Sequence, residues 1–201
     1  MRIILASASP RRAQILRDAG IEFEARLAEV EESQRPGEAV EGMVQRLAGD
    51  KASAGAIGVA GEALVIGADT AVICEGVLLG KPADADDARH MLEKLSGRTH
   101  RVVTGITLLR LPDRALCTEL ETTRVSFAPL SEREIEEYVL SGEPLDKAGA
   151  YGIQGRAGRF VTRIEGCYFN VVGLPLARLY RMLGESGRPA AAAQAKSAVR
   201  K

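Results

Sequence analysis

Apolar positions change their spacing along the chain, and each change marks an element. Ile3, Ile4, Leu5 and Ala6 run without interruption, which predicts a strand over about 2–7. Beyond Ser9 and Pro10 the spacing turns helical as far as Gly20. Ser9 reads as the N-cap, Pro10 as the first helical residue and Gly20 as the stop, giving a helix over about 10–19. "IEFEARLA" alternates like a strand and leads into the acidic "EVEES". Val40, Met43, Val44 and Leu47 recur at helical spacing, with Lys51 near the end of that helix. "ALVIGAD" is a continuous apolar strand suited to a sheet centre, ending on Asp69. "TAVICEGVLLGKP" then reads as a strand, a tight Glu75-Gly76 turn and a short return strand.

The second half repeats this alternation. "DADDARHMLEKLSG" is a helix that points Ala88, Leu92 and Leu95 inward and stops at Gly97. Two long strands, "HRVVTGITLLRL" and "ALCTELETTRVSFAPL", are joined by "PDR". "SEREIEEYVLSG" is a helix opened by a Ser131/Glu134 capping box. A glycine-dense stretch, a hairpin-like "FVTRIEGCYFNVV" and a helix from Pro175 follow. Long adjacent strands imply antiparallel pairing, so the expectation is an α/β fold: a mixed sheet with flanking helices and a cleft. Residues 1–186 are expected to form one domain. The large apolar residues run out after that, so 187–201 read as a flexible C-terminal tail.

Composition narrows the function classes. Lys+Arg and Asp+Glu both total 27, and a sequence-independent nucleic-acid binder would be basic. The balance still allows a small anion held by a few local cations. Cys74, Cys117 and Cys167 are widely spaced, odd in number and set in apolar runs, which reads as buried reduced thiols. His90 and His100 have no metal-ligating neighbours in sequence and read as structural or solvated. With no targeting signal and no membrane-length apolar run, a cytoplasmic protein is expected.

Several positions could carry chemistry, each with a plainer reading beside it. Arg11 and Arg12 fall in the first turn of the first helix, where the helix dipole disfavours cations by roughly 0.3–1 kcal/mol. A bound phosphate would reverse that penalty; two solvated arginines paired to surface acids would also account for it. Asp69 could hold a metal or activate water, or simply form a turn. Glu29, Glu31 and Glu32 form a solvated face unless one of them points at Asp69. Lys51 and Lys81 are either phosphate ligands or surface lysines. Gly149, Gly152, Gly155 and Gly158 in "DKAGAYGIQGRAG" match neither common phosphate-loop pattern, yet they surround Gln154, whose amide can both donate and accept.

The fragments "LASASPRR", "EVEES", "DKA" at Lys51, "VIGADTAVI", "LGKP", "MLEKLSGRTHRVVTGI", "EPLDKAGAYGIQG" and "IEGCYFNVVGLP" occur in that order. Together they resemble the Maf family of nucleoside triphosphate pyrophosphatases, over nearly the whole chain. The resemblance implies a nucleotide-binding cleft of the Maf/inosine triphosphatase type. It also implies hydrolysis between the α- and β-phosphates, with Asp69 as catalytic base. Ser7, Arg11, Arg12, Lys51 and Lys81 would contact phosphate. Glu31 and Asp69 would hold Mg²⁺ or Mn²⁺.

"GADT" and "AYGIQG" are similar to a dTTP/UTP pyrophosphatase branch, in which Arg11, Thr70 and Gln154 would set specificity. Modified pyrimidine nucleotides are further expected substrates. The partners expected are a small nucleotide and, as an open option, a second copy of the chain in a homodimer, with no stable nucleic acid and no membrane. The competing reading is a nucleotide-binding regulator of cell division without turnover.

Overall fold

The computed structural model describes residues 1–186; the expected tail lies outside the described residues. The strands are β1 (Arg2–Ala6), β2 (Glu24–Arg26), β3 (Ala63–Cys74), β4 (Val77–Leu79), β5 (Thr99–Leu111), β6 (Ala115–Phe127) and β7 (Val161–Glu165). They form one sheet in the order β2-β1-β3-β5-β6-β7, with β4 added to β3. β1 runs parallel to β2 and β3, and the other pairings are antiparallel. The helices are α1 (Pro10–Asp18), α2 (Val40–Gly55), α3 (Ala85–Leu95), α4 (Glu132–Leu140), α5 (Tyr168–Val172) and α6 (Leu176–Glu185). Among the described residues no helix is long and apolar enough to cross a membrane.

Alternation along β3 divides the core. Leu64, Ile66 and Ala68 pack with α1 and α6, and Val72 and Cys74 with α3 and α4. Ala63 and Val65 meet Ala52 and Ala56 at the end of α2, while Ala71 and Ile73 meet Met43, Val44 and Leu47 on the same helix. Two strand glycines bring α2 flush against this second face. A Cβ on Gly67 would lie 2.0 Å from the Ala48 carbonyl oxygen, and one on Gly105 2.4 Å from that of Val44. Only a bare backbone fits there.

Most of the expected elements are present. Ser9 caps α1, Gly20 has φ +68°, and Ser131 and Glu134 form the capping box of α4. The Glu75-Gly76 turn has φ of 50° and 80°, as a tight hairpin turn requires.

Four expectations need correction. Asp69 does not end a strand, because β3 continues unbroken to Cys74. It pairs with β5 from Ala63 to Ile73, and those ladder bonds carry it through the polar position. "IEFEARLA" contributes only three strand residues. "FVTRIEGCYFNVV" is no hairpin: β7 pairs with β6, and the chain then turns at Gly166 (φ +123°) into the short helix α5. Cys74 is buried, but Cys117 is exposed and Cys167 half-buried, because both stand on partly solvated backbone.

Candidate active site

An interruption in the sheet makes the site. On the edge of β3 away from β5, pairing to β1 ends at Gly67 and pairing to β4 begins at Val72. Among the described residues, no strand lies beside Ala68–Ala71 on that edge. The gap opens a cleft of about 880 Å³, within the range of small-ligand sites. Both faces of β3 reach the cleft through it, so consecutive residues Asp69 and Thr70 line one cavity from opposite sides of the sheet.

On the α2 face, Lys51 Nζ donates to Asp69 Oδ1 at 2.7 Å and lies 2.5 Å from Glu32 Oε1. Asp69 and Lys51 are buried, at 9% and 7% exposure. The close seat of α2 on Gly67 and Gly105 sets this contact, since Asp69 pairs directly with Gly105. Burial pushes the Glu32 carboxyl upward. The bond to Lys51, its charge, and the charges of Lys81 and Arg12 outweigh this and hold the carboxyl below its ordinary value.

On the α1 face, Arg12 is 8% exposed and already tied. Its Nε donates to the Gly173 carbonyl at 2.7 Å, Nη1 to Ser7 Oγ at 3.2 Å and Nη2 to Thr70 Oγ1 at 3.0 Å. The Thr70 hydroxyl also lies 2.9 Å from Thr104 Oγ1 and 3.3 Å from the Gly173 carbonyl. Burial pulls the guanidinium below its ordinary pKa, opposed by the charges of Asp69 and Glu32; it remains a cation at neutral pH. Arg12 is therefore an anchor between α1, β3 and the Gly173 turn, as well as a cation facing the cleft. Neither the bare anion site nor the solvated surface pair considered from sequence describes it.

Arg11 points across the mouth, with Nη1 3.4 Å from Asp146 Oδ2. Lys81 and Gln154 are both exposed and line the cleft. The structure thus gathers Ser7, Arg11, Arg12, Lys51, Asp69, Thr70, Lys81 and Gln154 around one cavity. Glu31 is not among the residues that line it. Its carboxylate accepts from the Ser33 hydroxyl, and the acid beside Lys51 is its neighbour Glu32. The 29–32 segment is irregular, so no periodicity marks which of its acids turns inward.

Sequence reasoning also missed the Gly173 carbonyl, and it missed Glu143, Asp146, Lys147 and Tyr151 on the glycine-dense side. Counting these, five cations and four carboxylates line the cleft. Lone glycines inside strand patterns, as at Gly67 and Gly105, were the available signal for the close seat of α2. Nothing in the sequence pattern marked Gly173. His100, expected to be structural or solvated, is buried, with Nε2 2.8 Å from the Tyr151 hydroxyl.

Among the described residues no cluster of three or more His, Cys, Asp or Glu side chains could hold a metal alone. Asp69 and Glu32, which meet on one lysine, are two oxygen donors beside space for a ligand. That set suits a magnesium-like ion that takes its remaining ligands from phosphate and water.

The profile of the family described as "Maf-like protein" matches residues 2–186. A dTTP/UTP pyrophosphatase of Anaeromyxobacter sp. is 51% identical over 191 residues, covering 94% of this chain and 91% of the relative. Proteins of the same name match at 52% over 187 residues in Koribacter versatilis and at 50% over 183 in Vibrio cholerae. These alignments cover 93% and 90% of this chain, and 95% and 96% of the relatives. The solved Staphylococcus aureus Ham1 protein superposes with a TM-score of 0.52 at 14% identity, over 94% of this chain and 100% of that one, which shows a shared fold. The chain belongs to the Maf-like protein family.

Proposed function

We propose that the chain hydrolyses dTTP and UTP to the monophosphate and pyrophosphate, in the cytoplasm. The observation that carries this reading is the buried Asp69–Lys51 contact, set in a cleft ringed by Arg11, Arg12, Lys81 and Lys147. The relatives' shared name supports the same substrates.

In this mechanism the triphosphate lies along the α1 side. Arg12 keeps its bonds to Gly173 and Thr70 and offers its remaining N–H groups to phosphate oxygen, so its geometry is set before the ligand arrives. Thr70 then acts through Arg12. Asp69, held in place by its bond to Lys51, takes a proton from the water that attacks the α-phosphorus. Lys81 and Arg11 stabilise the charge on the departing pyrophosphate. Binding frees Arg11 from Asp146, a weak and largely exposed pair. A divalent cation held by Asp69, Glu32 and the phosphates would neutralise charge on the triphosphate.

At the other end, the Gln154 amide accepts from pyrimidine N3–H and donates to O4. Cytosine carries the reverse pattern and leaves buried groups unpaired.

The test is pyrophosphate release with each nucleoside triphosphate and magnesium. Release from dTTP and UTP well above that from CTP and purine nucleotides is expected. Release of orthophosphate instead, or nucleotide binding with no pyrophosphate, overturns the reading; the second result is the signature of a non-catalytic regulator.

A further inference from the structure

Gln154 sits on a segment with no regular strand or helix, between the short 3₁₀ turns Ala148–Ala150 and Arg156–Phe160. A loop of this kind does not fix an amide to the accuracy that base discrimination needs unless something holds it. Two side chains from outside the loop do so. Tyr138, on α4, is fully buried, and its hydroxyl accepts from the Gly152 backbone N–H at 3.2 Å. The same hydroxyl donates to Glu143 Oε1 at 3.0 Å. Glu143 Oε2 accepts from the Arg156 backbone N–H at 3.1 Å. One hydrogen-bonded pair therefore grips the loop two residues before Gln154 and two residues after it.

The loop is shaped to admit this pair. A Cβ on Gly155 would fall 2.0 Å from Glu143 Oε1, so the carboxylate occupies the space that a side chain there would need. The Gly155 N–H closes a turn on the Gly152 carbonyl at 3.0 Å, inside the grip. Lys147 fixes the other end of the strut by donating to the Glu143 carbonyl at 2.7 Å. Glu143 was not a candidate in the sequence, because a glutamate beside a proline in a polar stretch looks like any surface acid.

We infer that Glu143, braced by Tyr138, is a positioning residue for base selection: it holds Gly152–Arg156 so that Gln154 meets the base in one orientation. The inference rests on the proposed pyrimidine triphosphate reading. Its requirement is for hydrogen bonds, not for charge. In Glu143→Gln the amide oxygen can accept from Arg156 N–H and the amide nitrogen can donate to the Tyr138 hydroxyl, whose own proton then loses its acceptor, so both links persist in weakened form. Glu143→Ala cuts both links. Tyr138→Phe cuts the Gly152 link and leaves the other.

The experiment compares kcat/KM for UTP and CTP in wild type and the three variants, with backbone hydrogen exchange over 152–156 on the same proteins. Glu143→Ala should lose about tenfold of the UTP/CTP ratio, chiefly through a higher KM for UTP, and its loop amides should exchange faster. Tyr138→Phe and Glu143→Gln should each lose clearly less than Glu143→Ala in both measurements. An unchanged ratio in Glu143→Ala overturns the inference, even if activity falls equally on both nucleotides. So does a Glu143→Gln variant as impaired as Glu143→Ala, which would show that the charge matters. A wild type that uses UTP and CTP equally overturns the substrate reading itself, and the inference with it.

Discussion

The two ends of the cleft are built from different material. At the proposed phosphate end, Asp69 and Thr70 stand on a twelve-residue strand paired with β5 along one edge, Lys51 on a sixteen-residue helix and Arg12 on a capped one. Their positions follow from backbone ladders and from α2 lying flush on two glycines. At the proposed base end, Gln154 stands on a loop between 3₁₀ turns that side chains hold in place. The contrast separates two demands. Chemistry on a phosphate common to all nucleotides tolerates no drift, and regular elements provide that. Discrimination between bases varies with the ligand, and loops accommodate variation. Damage at one end should therefore change rate, and damage at the other should change choice.

The strongest way to break this comparison is Asp69→Asn. It keeps the shape and the sheet pairing but removes the proposed base, so kcat should fall by about 10³-fold for every nucleotide, with the UTP/CTP ratio unchanged. Steady-state pyrophosphate assays check this, and a changed ratio would show that the two ends are not separable.

Acid should act in the other direction. Burial pushes His100 down to about 4, against 6.5 for the free side chain, so the folded state holds it neutral. The unfolded chain takes up a proton below pH 6.5 and the folded one does not. This contribution is therefore complete above pH 6.5 and is lost between 6.5 and 4, amounting to roughly 3 kcal/mol. Because His100 is bonded to Tyr151 at the root of the glycine loop and stays neutral in the folded state, base discrimination should hold across this range and erode only as pH falls through about 4. His100→Gln should flatten the pH dependence of Tm, as read by thermal melting from pH 4 to 7.

Arg12→Ala sharpens the contrast within the phosphate end. From sequence alone, removing a cation from a helix N-terminus predicts little harm to the free protein. The three bonds that Arg12 makes without ligand predict a loss of about 2 kcal/mol, together with weakened triphosphate binding. Melting with and without nucleotide separates the two effects. The smallest effect belongs to Gln154→Ala, which should leave the melting temperature unchanged and cost about tenfold in UTP over CTP, or roughly 1.4 kcal/mol. Parallel kcat/KM measurements on the two nucleotides test it.

Legibility in the sequence follows the same division. Elements with strong periodicity and caps, such as α1, α3, α4 and the β5–β6 pair, stand where pattern and capping chemistry place them. Asp69 was found, but its setting was misjudged. A charge after an apolar run reads as a strand end, whereas a twelve-residue strand paired along one side carries it mid-strand. The structure turns Glu32 toward Lys51 where the resemblance implies Glu31, because an irregular acidic run has no period to say which residue faces the core. The Gly173 carbonyl and the Tyr138–Glu143 pair were invisible for a simpler reason. A backbone oxygen has no letter of its own, and a contact that joins α4 to a distant loop leaves no local pattern.

The gap beside β3 gives the strand a kind of reading frame. Odd-numbered positions around Asp69 look toward α2 and even-numbered ones toward α1, and both faces open into one cavity. Losing a single residue between Ala63 and Gly67 would turn the acid toward Arg12 and the threonine toward Lys51, swapping the two halves of the site while leaving every residue type in place. A substitution along this strand leaves that frame intact, even where it costs packing as at Gly67 or function as at Asp69, but an insertion or deletion does not. Variation in length belongs instead to the loops at the far end of the cleft.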